Sequence, residues 1–389
     1  MKIAYLVKDY GLISETFITD LIEGLAKTDH DLVILANDAT SVPPLPVKLE
    51  KTGFLVPRSI IDKLSYRINR LRGSVGEQNI YHRQRRYAQH CLKPNFEKYA
   101  PDVAYIDYGP VAAFTWPTLV ELGIPFVVHF HGSDITSALN NTIYRQELQQ
   151  VFAHAAALIV ASNHVRRLLV LEGAPPGKIH VVRYGLNLAD LEPLSWVERQ
   201  QHPPSIIFLG RFTPKKHPVA LIEAFALVKQ EVAEAQLSLI GAGLEMDRVK
   251  RRIEQRQLSD SIKLYGALPH EEALPILNRH WIYAQHSVTA PSGDQEGFGI
   301  SLAEAAALEL PVVSTLHNGI PEQVIDGETG FLVSEFDYET MARRIVQLLQ
   351  DIELAKRMGQ CGSRHIRQIC SIERRVAAIT TILADAAKS

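Results

Sequence analysis

Short apolar runs alternate with longer amphipathic segments along most of the chain. An apolar run of about four to seven residues is typical of a strand that is buried on both faces of a parallel sheet. Such runs predict strands at residues 2–7, 31–36, 102–106, 125–130, 157–162, 179–182, 205–210, 237–243, 262–265, 281–284, 312–315 and 331–333. Helices are predicted at residues 17–26 and 143–156, from Ser162, from about Ile300 and from about Glu339 onward. This alternation predicts the α/β class with doubly wound parallel sheets.

The polar segment at residues 195–204, SWVERQQHPP, separates two such α/β regions. Its two prolines and the new apolar run that follows them are typical of an interdomain linker. The chain has 389 residues, which is more than one ordinary core needs. We predict an N-terminal domain at residues 1–198, a C-terminal domain at 199–371, and a helix at 372–389 that crosses back to the N-terminal domain.

Composition narrows the class of protein. Apolar residues make up 46% of the chain and charged residues 22%, as in ordinary globular proteins. The net charge of -2 argues against binding to nucleic acid through the whole surface. Cys91, Cys361 and Cys370 show no metal-ligand spacing, which fits a reducing compartment. The first residues are too charged for a signal peptide and no apolar run is long enough to cross a membrane, so we predict a cytoplasmic protein.

The segment at residues 58–93 is strongly basic although the whole chain is nearly neutral. Its basic residues, opposed by Asp62 and Glu77, are Arg58, Lys63, Arg67, Arg70, Arg72, Arg83, Arg85, Arg86 and Lys93. The pattern predicts one or two helices broken near Gly73 and Gly76. These charges form either a solvated helical face or a patch for an anionic lipid surface or a phosphorylated acceptor, and the second alternative implies peripheral contact with the inner face of a membrane.

The stretch EGFGISLAEAA, from Glu296 to Ala306, carries the strongest chemical signal. Two glycines flank Phe298, so the backbone can turn tightly and approach a ligand. The helix predicted from about Ile300 then offers free N–H groups and a positive dipole end to a phosphate or diphosphate. Glu304, about one turn into the helix, is suited to hold the vicinal hydroxyls of a ribose, and Glu296 those of a sugar. The alternative is a surface loop followed by a well-packed, Ala-rich helix.

Other loops at predicted strand ends carry groups that suit an anionic ligand. Arg211 and Lys216 lie five residues apart in the loop after residues 205–210. Arginine can bind two phosphate oxygens at once and lysine supplies a point charge, although surface charge alone also explains such a pair. Gly241 and Gly243 end the strand at 237–243 and allow close backbone approach. The loop GALPHEE, which contains Leu268, is suited to contact a base edge through its backbone.

The N-terminal half has its own candidate residues at strand ends. Gly11 lies in the loop after the first strand, where Ser14 and Glu15 either cap the next helix or contact an acceptor. His131 follows the strand at 125–130, where it is suited to bind a sugar hydroxyl, stabilise a phosphate charge or act as a base. Asp134 follows it in the same loop. The alternative is a histidine packed at a strand end.

A D-x-D signature is present at residues 29–31, Asp-His-Asp, between the first helix and the second strand. Three residues match this metal signature often by chance, and we do not predict a metal site there.

Several motifs, read in order, resemble a known family of enzymes. The runs GRFTPKK, IGAG, LYGALPHEE, APSGDQEGFGISLAEAAALELPVVST and HNGIPEQVIDGETGFLV cover nearly all of residues 204–335. They resemble the C-terminal half of the retaining GT-B glycosyltransferases of family 4. In the N-terminal half, HGSD resembles the HG-x-D stretch of the family, and SETFI resembles a motif of its members that build exopolysaccharide, such as the colanic-acid type.

The resemblance implies two Rossmann-like domains that face one cleft, with the nucleotide-sugar held mainly by the C-terminal domain. It assigns Arg211 and Lys216 to the diphosphate, Glu304 to the ribose and Glu296 to the hydroxyls of the donor sugar. The remaining matched positions are the backbone of Phe298, Gly299 and Ile300 at the sugar and phosphate, His131 near the donor sugar and diphosphate, and Gly11 at the diphosphate. The family's second N-terminal glycine is replaced by Leu12, and Asn318 stands where relatives often carry glycine, a mild change because asparagine tolerates positive φ.

The implied activity is transfer of a sugar from a nucleoside-diphosphate sugar, with UDP the commonest nucleotide in the family, to an acceptor hydroxyl with retention of configuration. We expect no metal and no cofactor, because the cationic residues and the helix N-terminus neutralise the departing diphosphate. The acceptor is a lipid-linked or growing polysaccharide, or else a soluble sugar phosphate. Alternatives are an epimerase, a phosphorylase, for which no pyridoxal-binding lysine is evident, and a non-catalytic nucleotide-sugar binding protein. A nicotinamide-dependent dehydrogenase is disfavoured because Gly11 stands alone after the first strand.

Overall fold

The computed structural model describes residues 1–12, 15–43, 46–55 and 74–388. The chain divides into two compact units of similar size. The N-terminal unit comprises Met1–Arg183 and the C-terminal segment Glu373–Ser389, and the C-terminal unit comprises Tyr184–Ile372. Each unit is an α/β structure with its own sheet and its own core.

The N-terminal unit contains a seven-stranded sheet in the order β3-β2-β1-β4-β5-β6-β7, and every neighbouring pair is parallel. Its strands are β1 (Lys2–Tyr10), β2 (Asp31–Ala39), β3 (Lys48–Lys51), β4 (Val103–Asp107), β5 (Phe126–Phe130), β6 (Ala157–Val160) and β7 (Ile179–Val181). Its helices are α1 (Thr16–Ala26), α2 (Ser74–Tyr99), α3 (Gly109–Glu121), α4 (Thr142–His154), α5 (Asn163–Leu171) and the C-terminal α13 (Ile372–Ala386).

The C-terminal unit contains a six-stranded sheet in the order β10-β9-β8-β11-β12-β13, again parallel throughout. Its strands are β8 (Ser205–Leu209), β9 (Gln236–Ile240), β10 (Ile262–Gly266), β11 (Ile282–Gln285), β12 (Val312–Thr315) and β13 (Gly330–Val333). Its helices are α6 (Trp196–Arg199), α7 (Pro218–Glu231), α8 (Met246–Gln255), α9 (His270–Asn278), α10 (Ile300–Ala307), α11 (Tyr338–Gln350) and α12 (Ile352–Ile369).

The central strands are apolar because helices cover both faces of each sheet. All residues of β4, β5 and β11 are buried, which explains why their sequences are mostly apolar rather than alternating. The exceptions are Asp107 and Gln285, which end β4 and β11, and His129 within β5. The covering helices contribute apolar stripes, such as Leu348 and Leu349 of α11 on the C-terminal core. Two parallel α/β units of this kind form the GT-B fold, as predicted.

The compact units divide at a different point of the chain from the predicted domain boundary. The compact units divide between Arg183 and Tyr184 rather than at residue 198, because the predicted linker folds onto the C-terminal unit as α6. There Trp196 packs edge-on against Trp281, and the buried Arg199 donates to the carbonyl of Asn278.

Two further differences concern the N-terminal unit. Helix α2 runs through Gly76 without a break, and β3 lies where the apolar runs predict no strand. Residues 58–73 of the basic segment, with Arg58, Lys63, Arg67, Arg70 and Arg72, lie outside the described residues.

In the described part of the basic segment, Arg85 pairs with Glu147, and Lys93 pairs with Glu121 at 2.7 Å. Membrane contact through this segment stays a prediction. None of the helices in the described ranges combines the length and the apolar character needed to cross a bilayer.

The strand order fixes where a ligand site belongs in each unit. The order reverses between β1 and β4 in the N-terminal unit and between β8 and β11 in the C-terminal unit. Open α/β sheets bind ligands at the carboxyl ends of the strands flanking such a reversal. The candidate residues follow these strands and their neighbours. The predicted cleft between domains concerns how the units are arranged and stays a prediction.

Candidate active site

Two charged side chains from either side of the strand-order reversal meet at the carboxyl edge of the C-terminal sheet. Lys216 follows β8 and Glu296 follows β11, and these strands are neighbours. The Nζ of Lys216 lies 2.8 Å from Oε2 of Glu296. The same ammonium group donates a 3.3 Å hydrogen bond to Oε1 of Gln285, the last residue of β11. The structure thus brings two predicted site residues into direct contact.

The carboxylate of Glu296 is held in its ionised form. Its residue is only 6% exposed. Burial by itself raises the pKa of this carboxyl group, but the charges of Lys216 and Lys215 outweigh burial and hold the pKa at about 2, against an ordinary value of 4.5. The site therefore presents a fixed anion beside a fixed cation, which together can bind sugar hydroxyls and phosphate oxygens.

Buried polar side chains form a hydrogen-bond network that contacts this ion pair. The hydroxyl groups of Tyr283 and Ser301 lie 2.8 Å apart, and the Tyr283 hydroxyl donates to Oε1 of Gln285 at 2.9 Å. The Nε2 of Gln285 donates to Ser287 at 2.7 Å and to Oε2 of Glu296 at 3.4 Å. Burial raises the pKa of Tyr283, so its hydroxyl keeps its proton and remains a donor. These bonds restrict the positions that Glu296 can adopt.

Helix α10 begins directly after the Glu296 loop. Gly299 is its N-cap, and the first intrahelical bonds run from the N–H groups of Leu302 and Ala303 to the carbonyl of Gly299. The N–H groups of Ile300 and Ser301 precede these bonds at the positive end of the helix dipole. The start of α10 therefore offers the N–H groups and the dipole end on which the predicted anion site depends. Binding of an anion there stays a prediction.

The side chain of Gln323 fixes the N-cap of α10. Its amide accepts from the N–H of Gly299 at 2.9 Å and donates to the carbonyl of the same residue at 2.8 Å. The N–H of Gly299 is therefore used within the protein. Phe298, the residue before, is buried and packs edge-on against Tyr184, with 5.5 Å between the ring centroids.

Glu304 lies one turn into α10 and is 5% exposed. Its Oε1 is 2.7 Å from Nε2 of His270, the first residue of α9. One carboxylate oxygen thus has a protein partner, and a carboxylate oxygen accepts more than one hydrogen bond. The geometry is compatible with the predicted ribose contact, which stays a prediction.

The other C-terminal candidates lie in loops at the same edge of the sheet. Arg211 is exposed in the loop after β8, and the half-buried Leu268 lies in the loop between β10 and α9. Gly241 and Gly243 follow β9, where a Cβ on Gly241 would lie 1.9 Å from the carbonyl oxygen of Gly210. Glycine is therefore required at 241 for loop packing, whatever its role toward a donor.

Asn318 follows β12 and adopts a φ of +49°. The position thus requires the left-handed conformation, which glycine adopts freely and asparagine tolerates. The expectation that asparagine replaces glycine here as a mild change is confirmed.

In the N-terminal unit, His131 is oriented by a buried carboxylate. The Nε2 of His131 lies 2.8 Å from Oδ1 of Asp107, which ends β4. The ring of His131 packs between Tyr108 and Phe17, with centroid distances of 4.4 and 4.9 Å. These contacts fix the orientation of the imidazole ring.

A second histidine, His129, lies beneath His131 with 4.3 Å between the ring centroids. Its Nδ1 is 2.6 Å from the hydroxyl of Tyr105. Burial and the neighbouring charge of His131 hold the pKa of His129 well below its ordinary value, so this histidine is neutral. Tyr5 donates a further hydrogen bond to Asp107.

Ligand atoms of Asp107, His129 and His131 lie within 4.8 Å of one another, in the part of the chain that the structure describes. Two of these atoms already share a hydrogen bond, and His129 is bonded to Tyr105. That the reaction needs no metal stays a prediction.

Asp134 has a structural role that the sequence did not reveal. It is 2% exposed, and its carboxylate accepts backbone N–H groups from Gly109, His131 and Gly132. These bonds shape the loop after β5 and argue against the predicted acceptor contact. Burial raises the pKa of this carboxyl group.

The candidates near the first strand have mixed outcomes. Gly11 has a φ of +83°, and a Cβ there would lie 2.0 Å from Oγ of Ser41, so only glycine fits. Glu15 precedes α1 without capping it, and its Oε1 accepts from the hydroxyl of Tyr108 at 2.9 Å. Ser14 lies outside the described residues.

The D-x-D triplet at residues 29–31 lies at the amino end of β2, where Asp31 pairs with Lys2 at the start of β1. The candidates Gly11 and His131 of the same unit lie at the opposite, carboxyl edge of this sheet. The position of the triplet agrees with a chance match.

Sequence reasoning missed several residues that hold the site together. They are Asp107, Lys215, His270, Gln285, His317 and Glu335. Two local signals were available in the sequence. Lys215 adjoins Lys216, and Asp107 directly follows the strand predicted at 102–106. Their partners are remote in sequence, so only the fold reveals the contacts.

Two family profiles match the chain, one in each half. Residues 196–365 match the profile described as "Glycosyl transferases group 1", and residues 14–185 match the "Glycosyl transferase 4-like domain". The chain is a glycosyltransferase with a group 1 domain at residues 196–365. This domain contains the Lys216–Glu296 pair and α10.

The sequence similarity to two polysaccharide-biosynthesis proteins extends over nearly the whole glycosyltransferase. The chain is 29% identical to the putative colanic acid biosynthesis glycosyltransferase WcaL of Salmonella typhimurium, with 89% of this chain and 90% of that protein covered. It is 27% identical to the amylovoran biosynthesis glycosyltransferase AmsK of Erwinia amylovora, with 90% and 91% covered.

Solved structures support the assignment of the fold. The crystal structure of Anabaena Alr3699/HepE in complex with UDP and glucose matches with a TM-score of 0.75 at 18% identity, over 99% of this chain and all of that one. The sucrose-phosphate synthase of Thermosynechococcus elongatus matches with a TM-score of 0.80 at 18% identity, over 99% and 98%. At this level of identity the likeness concerns the fold of the glycosyltransferase alone.

Proposed function

We propose that the glycosyltransferase moves a sugar from a UDP-sugar to an acceptor hydroxyl of a growing polysaccharide or lipid-linked glycan, with retention of configuration. The observation that carries the proposal is the Lys216–Glu296 ion pair beside the start of α10, at the point where the strand order reverses. HepE, which shares the fold, is in complex with UDP and glucose, which favours UDP. WcaL is named for colanic acid biosynthesis, which favours a polysaccharide product.

The proposed chemistry follows from the charge of the leaving group. Breaking the bond between sugar and diphosphate increases the negative charge on the diphosphate. Lys216, Arg211 and the N–H groups of Ile300 and Ser301 stabilise that charge, and preorganised groups of this kind usually contribute more to catalysis than any other single effect. This arrangement makes a divalent metal unnecessary, so we propose a metal-independent enzyme without a cofactor.

The proposed substrate contacts divide between two carboxylates. Glu304 accepts hydrogen bonds from the ribose hydroxyls, and Glu296 accepts them from the transferred sugar. Glu296 is not assigned as a nucleophile, because its ion pair with Lys216 lowers the basicity of the carboxylate. We propose that His131 contacts the donor sugar or the diphosphate and that Asp107 orients it.

A test that needs no acceptor is thermal unfolding with UDP, GDP, ADP and their sugars, with and without EDTA. A ligand that binds only the folded state raises the free energy of unfolding by about 2.7 kcal/mol at 100 times its dissociation constant. We expect stabilisation by UDP and a UDP-sugar that EDTA does not change. Slow hydrolysis of that UDP-sugar, followed by NMR, should release the sugar first as the anomer present in the donor. Stabilisation by no nucleotide contradicts the donor site, and release of the opposite anomer contradicts retention.

A further inference from the structure

The loop that carries Glu296 is held by buried side chains for which the proposed chemistry has no use. Lys215 is one of them, and it is only 8% exposed. Its Nζ lies 3.2 Å from Oδ1 of Asp294 and donates to the carbonyl of Gln295 at 3.1 Å. Its own carbonyl accepts from the N–H of Val288 at 2.8 Å. Lys215 thus links the loop after β8 to two segments of the loop after β11.

The loop that carries Glu296 is also contacted by a residue that follows β12, the neighbour of β11 on the side opposite β8. His317, which follows β12, has a fully buried side chain. Its Nε2 accepts the backbone N–H of Glu296 at 3.2 Å, and its Nδ1 lies 2.6 Å from Oε1 of Glu335. Because Nε2 accepts, the proton lies on Nδ1 and is donated to Glu335. The other oxygen of Glu335 accepts from the N–H of Thr289 at 3.0 Å.

Lys215 and His317 contact other atoms of the loop than Lys216 does. Lys216 contacts the carboxylate of Glu296. Lys215 contacts the side chain of Asp294 and the carbonyl of Gln295, and His317 accepts from the N–H of Glu296. The carbonyl of Gln295 and the N–H of Glu296 belong to one peptide group, so this peptide is held at both its oxygen and its nitrogen. A side chain that follows a fixed peptide group loses less further entropy when it binds a ligand, which is the value of preorganisation.

We propose that Lys215 and His317 are positioning residues that hold the Glu296 loop in place for the donor sugar. The part of this proposal that concerns the sugar rests on the proposed function. The hold on the loop does not, because it follows from contacts within the protein.

A direct role for Lys215 is the competing explanation. A lysine next to Lys216 can in principle bind the diphosphate itself. The contacts with Asp294 and Gln295 direct its ammonium group into the loop instead. The two roles differ in one measurable way. A positioning residue for Glu296 affects the affinity for a UDP-sugar more than that for UDP, whereas a phosphate ligand affects both equally.

The first measurement is hydrogen exchange of the full-length protein without ligand, with Lys215→Met and, separately, His317→Leu. We expect exchange of the amides in the peptide that contains residues 294–297 to become at least tenfold faster in both variants. Lys178→Met is the matched control, because Lys178 also binds carbonyl groups, those of Phe152, Ala153 and Ala155, but lies in the N-terminal unit. It should leave the exchange of this peptide unchanged. Unchanged exchange in Lys215→Met and His317→Leu overturns the proposal.

The second measurement compares affinities in the same variants. We expect Lys215→Met to weaken UDP-sugar binding about tenfold while UDP binding stays within twofold. Adding Lys215→Met to Asp294→Asn should cost little more, because both changes remove the same link. Equal losses for UDP and the UDP-sugar overturn the positioning role of Lys215. If the wild-type protein binds no nucleotide-sugar, the proposed function fails, and hydrogen exchange still decides whether these residues hold the loop.

Discussion

The ammonium group of Lys216 and the carboxylate of Glu296 form a 2.8 Å ion pair whose side chains are 13% and 9% exposed. Two charges brought so far out of water depend on each other, because an isolated buried charge is costly. A bound diphosphate would add a second negative group for Lys216 to contact. This pair therefore links the stability of the C-terminal unit to its proposed ligand chemistry.

Replacing one partner of the pair should destabilise the protein strongly. Lys216→Met leaves Glu296 buried without its nearest cation, and we expect a loss of about 3 kcal/mol in the free energy of unfolding. The double variant Lys216→Met with Glu296→Gln should recover most of this loss, because the unpaired charge is then gone. Unfolding in urea, followed by circular dichroism, measures both values.

The matched control for Lys216 is an exposed ion pair of the N-terminal unit. Lys93 lies 2.7 Å from Glu121, and both side chains are more than a third exposed. Lys93→Met should lower the free energy of unfolding far less than Lys216→Met does, because water screens an exposed ion pair. A loss of similar size in Lys93→Met and Lys216→Met would show that burial of the second pair has no energetic consequence.

The stability that Glu296 contributes should depend on pH. Its folded-state pKa of about 2 lies below the ordinary value of 4.5, so the folded protein binds its proton less readily than the unfolded chain. The contribution is therefore fully present above pH 4.5 and is lost as the pH falls toward 2. The measurement is the difference in unfolding free energy between the wild type and Glu296→Gln at several pH values. A difference that stays constant from pH 6 to pH 3 would contradict the lowered pKa.

Glu304 should determine the preference for ribose. If its carboxylate accepts hydrogen bonds from the ribose hydroxyls, the wild-type protein should bind UDP about tenfold more tightly than 2′-deoxy-UDP. Glu304→Ala should weaken UDP binding and remove most of this preference. Glu245→Ala is a suitable control, because Glu245 is also buried and pairs with an arginine, Arg248. Calorimetric titration with both nucleotides decides the matter, and an unchanged preference in Glu304→Ala would exclude the ribose role.

The fold was predictable from the sequence because parallel strands buried on both faces leave a local signal. The runs at 2–7 and 312–315 correspond to β1 and β12. Prediction failed where tertiary packing outweighs local character. Residues 195–204 are polar and end in prolines, yet Trp196 and Arg199 are buried in the C-terminal unit. Composition cannot reveal this burial, because it depends on partners such as Trp281, far along the chain.

The candidate site was predictable in its residues but not in its contacts. Lys216 and Glu296 were recognised from their separate loops, and the sheet order places those loops side by side. Asp134 shows the limit of this approach. A carboxylate after a strand suits a ligand, but here three backbone N–H groups occupy it. Local sequence does not distinguish a carboxylate that binds a ligand from one that shapes a loop.

Asp107 should act through His131 rather than through a substrate. Since Oδ1 of Asp107 lies 2.8 Å from Nε2 of His131, Asp107→Asn should weaken its hold on the imidazole while the ring stays packed against Tyr108 and Phe17. We expect His131→Asn to lower kcat about 100-fold and Asp107→Asn about tenfold, with donor affinity changed less than kcat in both. The exposed His154 provides the control, and His154→Asn should leave kcat unchanged. Kinetics and donor titrations of the three variants test this order. Full activity in His131→Asn would remove this histidine from the catalytic machinery, and a larger loss in Asp107→Asn than in His131→Asn would contradict an action of Asp107 through His131.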